Sequence, residues 1–203
     1  MYLDFNLILL YQNKLIIHKT TIGSKATHIV MDMEPNNLGE IFDKHIEFEF
    51  EKEDVNATMT TMTDNAYVHH VPTLTGGSGY KEVSSFYKNH FIGKMPKDIK
   101  ITQISRTIGK DQVVDELLLR FTHDKEIDYM LPGIPPTGKY VEIPHVVVMK
   151  FENNKIAHEH IYWDQASVLV QIGLLNNEGI PISGIEQAKR LLELVKKEVE
   201  NDR

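Results

Sequence analysis

Hydrophobic positions change period once along this chain, and the change divides it into segments. Leu38, Ile41, Phe42, Ile46 and Phe48 recur mostly at three- and four-residue spacing, which predicts a helix with one buried face, closed by the polar run Glu51–Asp54. Asp54 is placed to cap a short second helix carrying Val55, Met59 and Met62. Ala66–Val71 reads as a strand ended by Pro72, and Thr75–Gly79 as a loop. Val83, Phe86, Tyr87, His90 and Phe91 then follow the i, i+3, i+4, i+7, i+8 rule of an amphipathic helix.

From residue 99 the alternation becomes twofold. Ile99–Ile108, Gln112–His123, Glu142–Glu152 and Lys155–Asp164 are four predicted strands, with Asn153–Asn154 suited to a two-residue hairpin turn because asparagine tolerates positive φ. Gln165–Leu175 and Ile185–Val199 read as closing helices, the latter with Ile185, Ala188, Leu192, Val195 and Val199 on one face. Helices, an antiparallel meander and further helices make the expected class α+β.

Residues 1–30 stand apart, with Lys14, Lys19 and Lys25 against Asp4 in an otherwise acidic chain. Their apolar runs, Leu7–Tyr11 and Leu15–Ile17, are too short for a membrane span and lack the basic lead of a signal peptide. Two expectations stay open: a strand or hairpin added to the domain, or an upstream extension with the native start at Met31 or Met33. The domain division is therefore 1–32 as an amino-terminal extension and 33–203 as a single domain.

Composition narrows the function. The 203 residues include no cysteine, which excludes disulfides, thiolate metal sites and cysteine nucleophiles and fits a reducing, cytoplasmic setting. A net charge of −7 without a dense basic cluster argues against nucleic acid and anionic membranes as partners. Ten histidines leave imidazole and carboxylate chemistry as the main resource.

Several motifs fail on inspection. Gly133–Lys139 approaches a phosphate-binding loop, but Pro135 and Pro136 remove two N–H donors, Tyr140 replaces the required hydroxyl residue and a strand follows instead of a helix. Gly76-Gly77-Ser78-Gly79 lacks the final glycine of a nucleophile elbow. Asn56-Ala57-Thr58 is a glycosylation sequon without a secretory signal to use it. The segment Ala157–Asp164 is more informative. On a strand, His158, His160, Tyr162 and Asp164 share one face and Ala157, Glu159, Ile161 and Trp163 the other. Flanking apolar runs suggest that the polar face lines a cavity, where burial would bring carboxylate and imidazole pKa values toward neutrality for acid–base work. His69, His70, Asp115, Glu116, His123, Asp124 and Asp128 could join it across a bent sheet. A metal held by His158 and His160, two imidazoles at i and i+2, is an alternative.

Over about residues 38–195 the chain resembles the SnoaL-like branch of the nuclear transport factor 2-like superfamily. The residues that carry the resemblance are His70-Val71-Pro72 with Thr75-Gly76-Gly77, Ser105-Arg106-Thr107, Val114-Asp115-Glu116, Phe121-Thr122-His123, Leu131–Gly138 and His158–Gln165. It is similar in particular to stand-alone proteins labelled as related to carboxymethylenebutenolidase. That label does not transfer as a mechanism, because authentic dienelactone hydrolases are α/β-hydrolases with a cysteine nucleophile. The resemblance implies a cone, a curved antiparallel sheet wrapped around helices with an apolar pocket at its open end, and a homodimer formed through the sheet. It also implies side-chain acid–base chemistry with no cofactor and no metal, of the isomerase, cyclase or lyase type, on a small, partly apolar carbonyl or lactone-like molecule. Asp164 matches the acid/base aspartate of polyketide cyclases, and His70 lies near the position of the ketosteroid isomerase base. The expected roles are proton shuttling by Asp164 and His160, a second acid/base in His70, orientation by Glu116 or Tyr162, and a pocket lining that includes His123 and Trp163. A non-catalytic ligand-binding or dimeric interaction module of the same fold is the alternative function.

Overall fold

The computed structural model describes residues 37–201, so the expectations for the leading segment lie outside the described residues. Helix α1 (Leu38–Phe50) starts at an Asn37 cap whose side chain accepts from the Glu40 N–H. Besides Gly39, its buried positions are Leu38, Phe42, His45 and Glu49, a 4-3-4 spacing that puts two titratable residues on the core stripe where Ile46 and Phe48 are only partly buried. Asp54 caps α2 (Val55–Thr60) as expected, accepting from Ala57 N–H at 3.0 Å.

Strand β1 (Met62–His70) begins four residues before the apolar run suggested. The expected loop Thr75–Gly79 is instead strand β2 (Thr75–Ser78), paired antiparallel with β1. Glycine makes this hairpin possible: at Gly76, φ is +135° and a Cβ would stand 1.9 Å from the Val68 carbonyl oxygen. Helix α3 (Gly79–Phe86) runs into a π-helical turn, Tyr87–Phe91. The extra residue in that turn keeps Phe86, Tyr87 and Phe91 buried and rotates His90 out to solvent, against the simple helical stripe.

Strands β3 (Lys100–Ile108), β4 (Gln112–Thr122), β5 (Tyr140–Glu152) and β6 (Lys155–Trp163) form the expected meander, and Asn153 and Asn154 turn the last hairpin with φ of 50° and 60°. The six-stranded sheet has the order β2-β1-β6-β5-β4-β3 and is curved and unclosed. It is not wholly antiparallel: β1 and β6 run parallel, Tyr67 opposite His158 and His69 opposite His160. Helices α4 (Gln165–Gln171) and α5 (Glu186–Asn201) follow.

One continuous core joins the inner face of the sheet to α1, α2 and α3, through Phe42, Met59, Val83, Phe86, Tyr87, Phe121, Ile143, Met149 and Trp163 among others. Burying one such side chain contributes about 1.5–3 kcal/mol. Arg106 of β3 ties α1 to the sheet, holding Asp115 with two bonds of 2.7 and 2.8 Å and Asp43 with a third of 2.7 Å, over the Phe42 ring. Leu118, on the outer face, and Ala188 of α5 are fully buried but lie apart from this core, and α5 packs on β5.

Candidate active site

Residue alternation in β6 decides which groups meet. Ile156, Glu159, Ile161 and Trp163 are buried, whereas His158 and His160 are half-buried and Tyr162 is exposed. Glu159 and Trp163 thus face the core, and the His158/His160/Tyr162 face is the outer one, the reverse of the cavity-lining expectation. The physical reason is that α1 and α3 cover the face richest in apolar bulk, Ile161 and Trp163 included, and Glu159 is carried in with them.

Glu159 is received by a buried polar group. Its Oε1 accepts from Tyr87 Oη at 3.0 Å and lies 3.0 Å from His45 Nε2, which is also 3.2 Å from Glu49 Oε1 and 3.2 Å from Tyr87 Oη. On the other side of the ring, His45 Nδ1 stands 2.5 Å from Thr61 Oγ1, and Thr61 donates its own proton to the Thr58 carbonyl at 2.6 Å. The Thr61 oxygen therefore accepts, and Nδ1 carries a hydrogen. Burial alone would push the His45 pKa down; the charges and hydrogen bonds of Glu159 and Glu49 outweigh it and lift it to about 10. Burial acts to raise both carboxyls. His45 and Tyr87 reverse it for Glu159, holding its carboxyl below the usual range, and the Glu49 carboxyl, facing the Glu159 charge, stays above it.

Further along the same face, His70 is enclosed by rings: Tyr129 at 4.8 Å between centroids, Phe86 at 5.4 Å, Phe91 at 5.8 Å and Trp163 at 5.8 Å. His145 of β5, opposite Trp163 in the sheet, stacks on it at 5.3 Å. His145 Nδ1 lies 3.2 Å from the Ile143 carbonyl oxygen; a carbonyl only accepts, so Nδ1 bears the proton and Nε2 presents a lone pair. That Nε2 and His70 Nδ1 are buried without a partner among the described residues. Burial pushes both pKa values down to about 4, for His70 against the opposing charge of Glu159. Neighbouring loops are tied down around these rings. Trp163 Nε1 donates to Gln165 Oε1 at 2.6 Å, Gln165 Nε2 to the Met130 carbonyl at 2.8 Å, and Thr73 and Thr75 to the Tyr129 carbonyl at 2.7 and 2.9 Å.

The structure brings together His70 and Trp163 from the expected set. His123 is buried just past the end of β4, but its Nδ1 meets Thr137 Oγ1 at 3.1 Å, and it makes no ring contact with His70 among the described residues. Glu116 lies on the outer face and accepts from Ser105 at 3.2 Å. His160 lies there too, 2.9 Å from Tyr67 Oη, its ring 4.4 Å from that of His158. Tyr162 shares that face. Asp164 caps α4: it accepts from Ser167 N–H at 3.1 Å, Ser167 Oγ at 2.7 Å and Gln187 Nε2 at 3.2 Å. Partial burial opposes its charge, yet these donors hold the carboxyl below its usual range. Asp164, His160, Tyr162 and Glu116 consequently do not share one concavity with His70. His45, Glu49, Glu159 and His145 are the residues that strand and helix patterning left out, although the 38-42-45-49 stripe signalled the first two and the charge on the apolar face of β6 the third; His145 shows only as an inward position of β5.

Comparison with known proteins agrees with this architecture. A family profile described as SnoaL-like polyketide cyclase matches residues 42–172, more than half of the chain. Among solved structures, a protein described as a SnoaL-like polyketide cyclase from Jannaschia sp. CCS1 superposes with a TM-score of 0.54 at 16% identity, covering 76% of this chain and 100% of that one. TsrD from Streptomyces laurentii gives 0.56 at 12% identity over 71% and 100%. A protein with a ketosteroid isomerase-like fold from Catenulispora acidiphila DSM 44928, solved in complex with trimethylamine, gives 0.51 at 17% identity over 70% and 98%. No curated protein matches the chain significantly. Among the described residues no helix is long and apolar enough to cross a membrane. With its sheet order, its inner helices and the profile match in agreement, the chain belongs to the SnoaL-like polyketide cyclase family.

Proposed function

We propose that the inner face carries a side-chain acid–base reaction of the isomerase, cyclase or lyase type on a small, partly apolar carbonyl or lactone-like molecule. The observation that carries this reading is the pair of neutral histidines, His70 and His145, each presenting a buried, unpartnered ring nitrogen beside the Trp163 ring. Burial leaves both imidazoles unprotonated and able to accept at physiological pH, and the nearby Glu159 charge favours protonation of His70 against that burial. His70 takes the proton, and the ionised Glu159 stabilises the imidazolium so formed. His145 Nε2 accepts a hydrogen bond from a substrate hydroxyl or enol. Tyr129, whose phenol burial keeps protonated, supplies a donor for the carbonyl oxygen beside the His70 ring. Asp164 and His160 stand outside this set. A homodimer through the outer sheet face, where Val146 and Tyr162 are exposed, belongs to the same proposal.

The test is proton exchange. Small ketones and lactones incubated with the protein in deuterated buffer should gain deuterium at the carbon next to the carbonyl, followed by NMR. His70→Gln and His145→Gln should each slow this by about 100-fold or more. Exchange that persists unchanged in both variants would remove the assignment.

A further inference from the structure

Four polar atoms on three different elements meet between α1, the π-helical turn and β6: His45 Nε2, Glu49 Oε1, Glu159 Oε1 and Tyr87 Oη. We propose that they form a buried site for a divalent transition cation, with zinc as the reference ion, in which His45, Glu49 and Glu159 are ligands and the Tyr87 hydroxyl occupies the fourth corner.

Size comes first. A tetrahedral ion with bonds of about 2.0 Å holds its ligand atoms about 3.3 Å apart. Here His45 Nε2 lies 3.0 Å from Glu159 Oε1, 3.2 Å from Glu49 Oε1 and 3.2 Å from Tyr87 Oη, and Tyr87 Oη lies 3.0 Å from Glu159 Oε1. The three ligand atoms all fall within 4.8 Å of one another. The helix and the strand bring them there independently: His45 and Glu49 are one turn apart on the core stripe of α1, and Glu159 comes from the opposite wall.

The histidine is set as a ligand would be. Thr61 receives the Nδ1 proton and passes its own to the Thr58 carbonyl, which fixes the ring plane and points Nε2 into the group. An imidazole and two carboxylates without thiolate suit zinc, manganese or iron(II) rather than copper(I). Two carboxylates also neutralise a dication, which matters where all three residues are no more than 5% exposed. Such burial marks a closed, structural site pinning α1 and the π-helical turn to β6, separate from the unpartnered nitrogens of His70 and His145. Among the described residues this is the one group of three such side chains; His158 and His160 on the outer face acquire no third ligand. The competing occupant of the same place is a proton shared between His45 and the carboxylates, and the experiment separates the two.

The unmodified chain is unfolded in chelator, refolded with zinc or with cobalt(II), freed of excess ion and analysed for metal. The expected result is close to one ion per chain, a higher Tm than the chelated protein, and X-ray absorption showing one imidazole nitrogen with two or three oxygens at about 2.0–2.1 Å. Glu49→Gln and His45→Gln should lose the ion, while the combined His158→Gln and His160→Gln variant keeps it. Substoichiometric metal in the unmodified chain, an absorption spectrum showing two imidazoles, or an ion retained by Glu49→Gln and lost with His158 and His160 would overturn the proposal. The absorption measurement decides even if a core variant fails to fold.

Discussion

Replacing His145 with phenylalanine takes a titrating group off the inner face while leaving a ring to stack on Trp163. The native imidazole titrates at about 4, because burial opposes its charge, and an unfolded histidine titrates near 6.5. The folded value is the depressed one. As pH falls below about 6.5 the unfolded chain therefore binds a proton that the native state refuses, and stability drops until about pH 4, below which both states are protonated. Between pH 7 and pH 5 this linkage amounts to about 2 kcal/mol for one ring. His70, also depressed to about 4, adds a similar slope that His145→Phe leaves in place. The assay is urea unfolding of both chains at pH 7 and pH 5. At pH 7 the variant should lose about 1 kcal/mol, the value of the Nδ1–H bond to the Ile143 carbonyl. From pH 7 to pH 5 its stability should fall by about 2 kcal/mol less than that of the native chain. Equal falls in the two proteins would mean that His145 is solvated in solution, and would refute both the linkage and the neutral-base assignment.

Other substitutions probe separate joints of the fold. Asp164→Ala should cost about 1 kcal/mol by uncapping α4, and chemical denaturation showing no loss would return Asp164 to consideration as a free acid. Arg106→Ala leaves Asp115, 1% exposed, with Gln103 as its one remaining side-chain partner among the described residues; unfolding should show a loss of about 3–5 kcal/mol, partly recovered when Asp115→Ala is added. Gly76→Ala must place a Cβ 1.9 Å from the Val68 oxygen, so the β1–β2 hairpin should open, seen as faster amide exchange at Ser78 and Tyr67 and a loss of about 1–3 kcal/mol.

Periodicity served well wherever side-chain bulk decides the outcome. The four meander strands and the first two helices fall within two residues of their expected bounds, because alternation and caps are local signals. The misses have local causes as well. Gly76 and Gly77 look like loop residues, yet their missing side chains are what let β2 lie against β1 and α3: a Cβ on Gly77 would sit 2.7 Å from Glu82 backbone. The π-helical turn cannot be seen in a 3.6-residue pattern, so His90 belongs to the predicted stripe yet lies outside, 3.1 Å from Asp128. The site departs from its sequence pattern for a different reason. Four polar groups on one face of β6 resembled a catalytic surface, but a face covered by helices is chosen by its apolar partners, and Ile161 and Trp163 outweigh a single Glu159. Only the three-dimensional pairing of Glu159 with His45 and Tyr87 shows how that charge is tolerated.

The parallel pairing of β1 with β6 also sets the order in which the molecule can assemble. Tyr67 and His160, which meet across that pair, are 93 residues apart in the chain. Strands β3 to β6 are joined in sequence and can zip up as successive neighbours, and α1 can dock on β3 through Arg106, but β1 takes its place in the sheet only once β6 has left the ribosome. Until then the emerging amino-terminal half carries His45, Glu49 and Tyr87 without the carboxylate that completes them. Closing so long a loop is entropically costly and slow relative to local pairing. Docking of the first strand against β6 is thus the natural rate-limiting event in folding, and chaperones would meet this chain as a finished meander with β1 still outside the sheet.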